Sequence, residues 1–229
     1  MLTVEELQVI LLSLRVALCC VVVTIPPALI LGWILARYDF RLKLLLDGIC
    51  HLPLVLPPVV IGYLLLIFFG RRGVIGPWLQ TFDVQFVFDW KGAVISSAVV
   101  AFPLVLRAVR LAIEEVDPKV EKIAQTLGAS PIRVFFTITL RMAMPGLIVG
   151  SLLAFARSMG EFGATITFVS NIAGETRTIP AAIYTYLNQP DGETAALRLA
   201  VFSIVISLMA LVASEWSVKR LRRGKVAAH

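Results

Sequence analysis

Long apolar stretches are the feature of this sequence that most restricts its fold. Five of them approach or exceed the ~20 helical residues that cross the ~30 Å hydrocarbon core of a bilayer. They cover residues 7–36, 44–69, 92–113, 135–158 and 197–218. With 59% hydrophobic and only 16% charged residues, the chain has too little polar surface for one large soluble domain. The sequence therefore predicts an all-α integral membrane protein with about five transmembrane helices.

The first stretch differs from a secretory signal peptide in two respects. Glu5 and Glu6 are the only charged residues before it, so a basic leading region is missing. The stretch is also longer than the apolar region of a signal peptide, and no cleavage site of small residues stands out. We expect it to remain as a spanning helix.

Lysine and arginine residues in the loops and near the ends of the spans are divided unequally between the two sides. Thirteen lie on one side: Arg37, Arg41, Lys43, Arg107, Arg110, Lys119, Lys122, Arg133, Lys219, Arg220, Arg222, Arg223 and Lys225. Five lie on the other: Arg71, Arg72, Lys91, Arg177 and Arg198. Because loops rich in these residues stay in the cytoplasm, we expect a periplasmic N-terminus and a cytoplasmic C-terminus. The net charge of +6 then reflects topology and not a nucleic-acid partner.

Prolines lie inside several predicted spans and are densest at Pro53, Pro57 and Pro58. Each removes a backbone donor and bends its helix, which indicates a bundle that bends around a pathway. Kinks that only improve packing are the alternative at any single proline. Two further apolar stretches, 162–172 and 179–187, are too short to cross. We expect them near the periplasmic surface, dipping inward where protein surrounds them.

The longest loop on the basic side, residues 114–134, has the pattern of a short amphipathic helix. Asp117 and Pro118 suit the cap and first position of a helix, and Gly128 suits the left-handed conformation that ends one. Ser130 and Pro131 repeat the starting pattern. One apolar stripe follows the i, i+3, i+4, i+7 spacing: Val120, Ile123, Ala124 and Leu127.

Two interpretations fit this helix. It could lie on the membrane surface, but its stripe is short and its polar face is not strongly basic. A helix that docks in the groove of a partner protein fits better.

The loop resembles the signature of ABC-importer permeases, which reads Glu-Ala-Ala, three residues, Gly, nine residues, Ile-x-Leu-Pro. The matching positions are Ala124, Gly128, Ile138 and Leu140. The chain departs from the signature at three positions. Lys122 stands where the glutamate is expected, and Glu121 lies one position earlier. Ile123 replaces the first alanine, and Arg141 replaces the final proline. Segments 51–60, 156–171 and 174–180 are similar to the molybdate permease family. This wider resemblance covers about residues 7–218, and tungstate and sulfate or thiosulfate permeases are its nearest alternatives.

The resemblance implies a type I ABC importer permease fold and import of molybdate across the bacterial inner membrane. The transmembrane domain would cover residues 7–218, with a basic cytoplasmic tail over 219–229. Loop 114–134 would dock on the ATPase through Glu121, Ile123, Ala124, Leu127, Gly128, Ile138 and Leu140. The implied partners are a second copy of the chain, two ATPase subunits, a periplasmic molybdate-binding protein and the lipid bilayer.

Candidate pathway or gate residues follow the fourth span. Arg157 and Glu161 are four residues apart, so they face each other on a helix and form either an ordinary ion pair or part of the pathway. Hydroxyls pass an oxyanion better than fixed cations, because a site that binds tightly does not release. Thr165, Thr167 and Ser170 are therefore candidate lining residues. The alternative is that these hydroxyls bond their own helix backbone.

Other function classes lack their sequence features. The chain has no GxxxxGK[ST] loop, so we expect no ATP hydrolysis by that route and no enzyme activity in the chain itself. A secondary transporter would show two similar halves with acidic residues at mid-membrane. An intramembrane enzyme would need a convergent set of catalytic side chains. Cofactors are not expected, and the cysteines and histidines have no metal-ligand spacing.

Overall fold

The computed structural model describes residues 2–226, with side chains as far as Arg220. Over that range the chain is helical and contains no strand. The α-helices are α1 (Val4–Arg37), α2 (Lys43–Val55), α3 (Pro58–Phe69), α4 (Gly76–Gln80), α5 (Trp90–Glu114), α6 (Pro118–Thr126), α7 (Pro131–Val134), α8 (Leu140–Met159), α9 (Gly163–Val169), α10 (Ile179–Leu187) and α11 (Glu193–Val226). A π-helical turn, Phe135–Thr139, joins α7 to α8.

Four helical segments are long and apolar enough to cross a membrane. They are Val4–Arg37, Trp90–Glu114, Pro131–Met159 and Glu193–Arg220. Each of these segments begins before and ends after the corresponding predicted span. Backbone hydrogen bonds to the preceding turn continue a helix through polar residues beyond its apolar part. Most of the predicted basic tail, 221–229, lies outside the described side chains.

The second predicted span is not one continuous helix. It breaks into α2 and α3, which are bent by 114° at Leu56 and Pro57. Both residues precede a proline and take extended backbone angles, with ψ of 140° and 135°. A following proline disfavours the helical conformation, so two prolines in succession end the helix here. The other interior prolines, Pro26, Pro27, Pro53, Pro103 and Pro145, lie within continuous helices.

Contacts between helices define the path of the chain across the bundle. The Arg15 guanidinium lies 3.7 Å from the centre of the Trp90 ring, at the start of α5. At the other end of the same pair, a Cβ atom on Gly32 would lie 3.1 Å from Val109 Cγ1. Helices α1 and α5 therefore run parallel, and α2 with α3 must carry the chain back between them. We call the end where α1 begins the N-terminal end, and the opposite one the α6 end.

Helix α11 runs in the same direction as α1. Its first turns lie beside the first turns of α1, where Arg198 and Glu6 approach to 2.7 Å. Its later residue Trp216 lies with Met144 and Ile148, near the start of α8. The start of α1 and the end of α11 are thus at opposite ends of the bundle. With α2 and α3 counted as one crossing, the chain crosses five times, as the sequence predicts.

Helix α5 forms the centre of the bundle, with α1 and α8 packed along it. Small residues let α8 approach α5 closely. Gly146 of α8 lies so near Ala112 of α5 that a Cβ atom on the glycine would be 2.2 Å from the alanine side chain. The short apolar stretches form α9 and α10. Helix α9 packs between α3 and α5, with Phe168 and Val169 fully buried.

Candidate functional site

The α6 helix has the boundaries that the sequence predicts, and local hydrogen bonds explain both of them. The Asp117 carboxylate accepts a hydrogen bond from the Lys119 amide at 2.9 Å, with Pro118 in the first turn. At the other end, the Gly128 amide donates to the Gln125 carbonyl and the Ala129 amide to the Ala124 carbonyl. This pairing is the Schellman motif, which needs a left-handed residue, and Gly128 has a φ of +91°.

The apolar stripe of α6 is exposed. Val120, Ile123 and Leu127 are 41%, 60% and 83% exposed, and no residue of the helix is buried. Ile132 and Phe136, in the turns that follow, are exposed as well. Ala124 is half-buried, and so are Ile138 and Leu140, which lie in the π-helical turn and at the start of α8. The structure therefore separates the predicted coupling residues into an exposed group and an inner group.

Glu121 points into the bundle and not toward the exposed surface. Its Oε1 accepts a hydrogen bond from Arg37 Nη2 at 2.9 Å and another from the Thr139 hydroxyl at 2.6 Å. The same Arg37 nitrogen donates to the Val116 carbonyl at 2.9 Å. The sequence interpretation did not identify Arg37 or Thr139 as partners of Glu121. The one available signal was the displacement of the glutamate from the family signature by one residue, which places it on another face of α6.

The predicted pair Arg157 and Glu161 meets at the junction of α8 and α9. Their side chains form an ion pair of 2.8 Å, in which the Glu161 side chain is 1% exposed and the Arg157 side chain 31%. Glu161 Oε1 also accepts a hydrogen bond from the Ala164 amide at 2.8 Å. Because Ala164 is in the first turn of α9, the carboxylate caps this helix and joins it to α8.

The three candidate lining hydroxyls are not brought onto one surface. Thr165 is 3% exposed, and its hydroxyl has no hydrogen-bond partner among the described residues. The Thr167 hydroxyl donates to the Gly163 carbonyl at 2.8 Å, within its own helix. Ser170, which ends α9, has φ 65° and ψ −159°. Only glycine adopts that region readily, so the backbone at Ser170 is strained.

Helices α3 and α9 pack closely at two glycines. A Cβ atom on Gly62 would lie 2.5 Å from the Ala164 carbonyl oxygen and 2.7 Å from Thr167 Cβ. A Cβ atom on Gly163 would lie 2.9 Å from Pro58 Cβ. Gly163 thus meets the start of α3, directly after the bend. Helices α3 and α9 thus form one packed unit, and no sequence pattern indicated that these two segments would pair.

An open cavity of about 1030 Å³ lies at the N-terminal end, between the end of α3 and the loop that precedes α5. The polar residues that line it are Arg71, Arg72, Gln80, Asp83 and Gln85. Neither arginine forms an ion pair with a residue that the structure describes. With two guanidinium groups against the one carboxylate of Asp83, the lining carries a net positive charge, which favours anions. Over the same described range, no group of three or more His, Cys, Asp or Glu residues could hold a metal ion.

Comparison with known proteins places these features in a family. The model of the family described as "Binding-protein-dependent transport system inner membrane component" matches residues 28–223. Two relatives are named "Molybdenum transport system permease protein ModB". The one from Haemophilus influenzae is 57% identical, over 95% of this chain and 96% of its own length. The one from Escherichia coli is 55% identical, over 98% and 99%.

A more distant relative and a solved structure extend the comparison. The "Sulfate transport system permease protein CysT" of Escherichia coli is 34% identical, over 86% of this chain and 70% of its own length. A bacterial alginate ABC transporter, solved in complex with alginate pentasaccharide-bound periplasmic protein, has a chain with a TM-score of 0.77. The match covers 96% of this chain and 80% of that one at 17% identity, so it shows a shared fold only.

Proposed function

The chain belongs to the family of binding-protein-dependent transport system inner membrane components, and on that premise we propose that it is the permease subunit of an ATP-driven molybdate importer. It is a multi-pass inner-membrane protein and not an enzyme, since ATP is hydrolysed by a separate subunit. One observation carries the choice of cargo: 55–57% identity to molybdenum permeases extends over at least 95% of the chain. Identity to the sulfate permease is 34%. Tungstate, sulfate and thiosulfate are the alternative cargoes.

The exposed stripe of α6 is the surface on which the ATPase subunit docks. Its support is the exposure of Ile123 and Leu127 on a helix that buries nothing in its own chain. An apolar helix face of this kind suits a hydrophobic groove on a partner. Movement of the docked ATPase then displaces α6 and changes which end of the bundle is open.

The packed unit of α3 and α9 is the gate on the anion's path. Its support is the close packing at Gly62 and Gly163 together with the bend at Leu56 and Pro57. Helices this closely packed move together, and the bend and the strained Ser170 are the positions where the backbone direction changes. A second copy of the chain completes the path.

The N-terminal end of the bundle faces the periplasm in this proposal. The basic residues of the α6 end support that orientation, since such residues are retained in the cytoplasm. The cavity that Arg71 and Arg72 line then opens toward the periplasmic binding protein. Two unpaired cations there would attract the anion on its release.

Reconstitution of the chain with the ATPase and binding protein of its own system tests this function. We expect ATP-dependent uptake of molybdate into proteoliposomes, and no uptake when the ATPase carries an inactivating substitution. Competition with tungstate, sulfate and thiosulfate separates the alternative cargoes. Uptake of sulfate at the molybdate rate, with the matching binding protein present, would contradict the assignment of cargo.

A further inference from the structure

Helix α6 is attached to its own chain by very few groups. None of its residues is buried, and it lies between two turns at the α6 end. The buried residue next to it is Val116, which is 2% exposed and precedes the helix. Within α6, Glu121 is the residue whose side chain reaches the transmembrane helices through hydrogen bonds.

These bonds connect α6 to two different helices. Arg37 is the last residue of α1, and its Nη2 donates hydrogen bonds to both the Glu121 carboxylate and the Val116 carbonyl. Both members of the Arg37–Glu121 pair have side chains that are 13% exposed. Thr139, 1% exposed, donates to the same carboxylate oxygen from the π-helical turn. We call this group, comprising Glu121, Arg37, Thr139 and the Val116 carbonyl, the Glu121 junction.

The π-helical turn contributes to the geometry of the junction. A π turn adds one residue to a helix, so it rotates every side chain that follows relative to those before it. Here the turn ends at Thr139, whose hydroxyl meets Glu121, and begins at Phe135, whose ring packs edge-on against Trp33 of α1 at 5.6 Å. One end of the turn is therefore bonded to Glu121 of α6, and the other packs against α1.

Helix α1 is also anchored at its opposite end. Glu6, 1% exposed, accepts two hydrogen bonds from Arg198 of α11 at 2.7 and 3.0 Å. The Ser13 hydroxyl accepts a hydrogen bond of 2.8 Å from the backbone amide of Ile179, at the start of α10. Helix α1 has 34 residues and is therefore about 51 Å long, so it connects the Glu121 junction to the far end of the bundle.

We propose that Glu121 is a positioning residue: through Arg37 and Thr139 it fixes α6 to α1 and to the base of α8, so that a displacement of α6 reaches the N-terminal end of the bundle along α1. This inference rests on the proposed docking of an ATPase on α6. It gives Glu121 an inward role, distinct from contact with the ATPase. Ile123 and Leu127 make that contact on the exposed side.

A double-mutant cycle on the purified chain tests the junction without cargo or ATPase. We compare the thermal unfolding midpoints of Arg37→Gln, Glu121→Gln and the double variant in detergent. Substitutions of two groups that bond each other have non-additive effects on stability. The midpoint of the double variant should therefore fall by less than the sum of the decreases in the two single variants. Additive losses would overturn the junction. If Arg37→Gln does not fold, Thr139→Val with Glu121→Gln forms the same cycle.

The reconstituted transporter tests the transmission of movement. We expect Glu121→Gln to retain assembly with the ATPase and basal ATP hydrolysis, while molybdate transported per ATP falls about tenfold, within the ~5–150-fold range typical of coupling between sites. Glu115→Gln is the matched control, because this exposed carboxylate of the same loop forms no ion pair with a residue that the structure describes. It should transport normally.

Two outcomes would overturn the positioning role. One is loss of ATPase assembly in Glu121→Gln to the degree seen in Leu127→Asp, which would place Glu121 in the docking surface. The other is an unchanged ratio of transport to hydrolysis. If the unsubstituted transporter carries no molybdate, the proposed function fails, yet the cycle on the purified chain still decides whether the junction exists.

Discussion

Gly62 of α3 lies directly against Ala164 of α9, so closely that a Cβ atom at position 62 would be 2.5 Å from the Ala164 carbonyl oxygen. The obstacle is backbone, which cannot rotate away as a flexible side chain can. We predict that Gly62→Ala separates α3 from α9, destabilises the protein by about 1–3 kcal/mol as overpacked substitutions do, and slows transport. Thermal unfolding in detergent and molybdate uptake measure the two effects.

Gly48→Ala is the control for that substitution. Gly48 also lies within a helix, α2, but its Cβ would meet nothing within 4 Å. Because alanine favours helices over glycine, this variant should be neutral or slightly stabilising. Equal behaviour of the two variants would show that close packing of α3 and α9 does not matter.

Gly128 ends α6 with a φ of +91° and has open space around it. Gly128→Val should therefore act through the backbone and not through a clash, at a cost of about 1–2 kcal/mol. We expect the variant to insert in the membrane and to lose coupled transport, because α6 is re-aimed. Gly128→Asn should transport better than Gly128→Val, since asparagine tolerates the left-handed conformation. Equal transport by both variants would refute this explanation.

Ser170 has backbone angles that glycine adopts more readily than any other residue. We predict that Ser170→Gly relieves strain and raises the thermal unfolding midpoint, by an amount that corresponds to at most ~1–3 kcal/mol. The greater freedom of glycine in the unfolded chain offsets part of this gain. Ser170→Ala removes the hydroxyl but keeps the strain, so it should not raise the midpoint. A rise in both variants would assign the effect to the hydroxyl.

Selectivity between molybdate and sulfate should lie mostly outside this chain. The two anions share charge and shape, so telling them apart needs a rigid, closed set of donors, which a path that opens to both ends cannot maintain. We predict that Thr165→Val and Thr167→Val leave the molybdate-to-sulfate preference unchanged in vesicles. The Thr167 hydroxyl already donates to its own helix, and the Thr165 hydroxyl has no described partner. A changed preference, with the binding protein untouched, would locate selectivity here.

Reporter fusions test the orientation of the bundle. A fusion after Lys225 should behave as cytoplasmic and one at Asp191 as periplasmic, because the basic loops stay inside. The start of α1 and the end of α11 lie at opposite ends of the bundle, so fusions near the two termini must differ. The reverse pattern at either position would contradict the periplasmic N-terminus.

Features that depend on neighbouring residues could be predicted from the sequence. The caps of α6, the left-handed Gly128 and the presence of a bend at the prolines follow from side chains and backbone groups within about five residues of each other. The number of crossings follows from the length of apolar stretches. The approach of Arg157 to Glu161 follows from their spacing of one helical turn.

The tertiary structure alone decided what those elements contact. Glu121 pairs with Arg37, 84 residues away, and with Thr139, 18 residues away, and no periodicity indicates either partner. The 114° direction of the bend and the packing of α9 on α3 likewise depend on how small residues fit between helices distant in sequence. A short segment of sequence determines its own local hydrogen bonds and whether it is long enough to cross a bilayer. Contacts across the bundle depend on the packing of all helices at once.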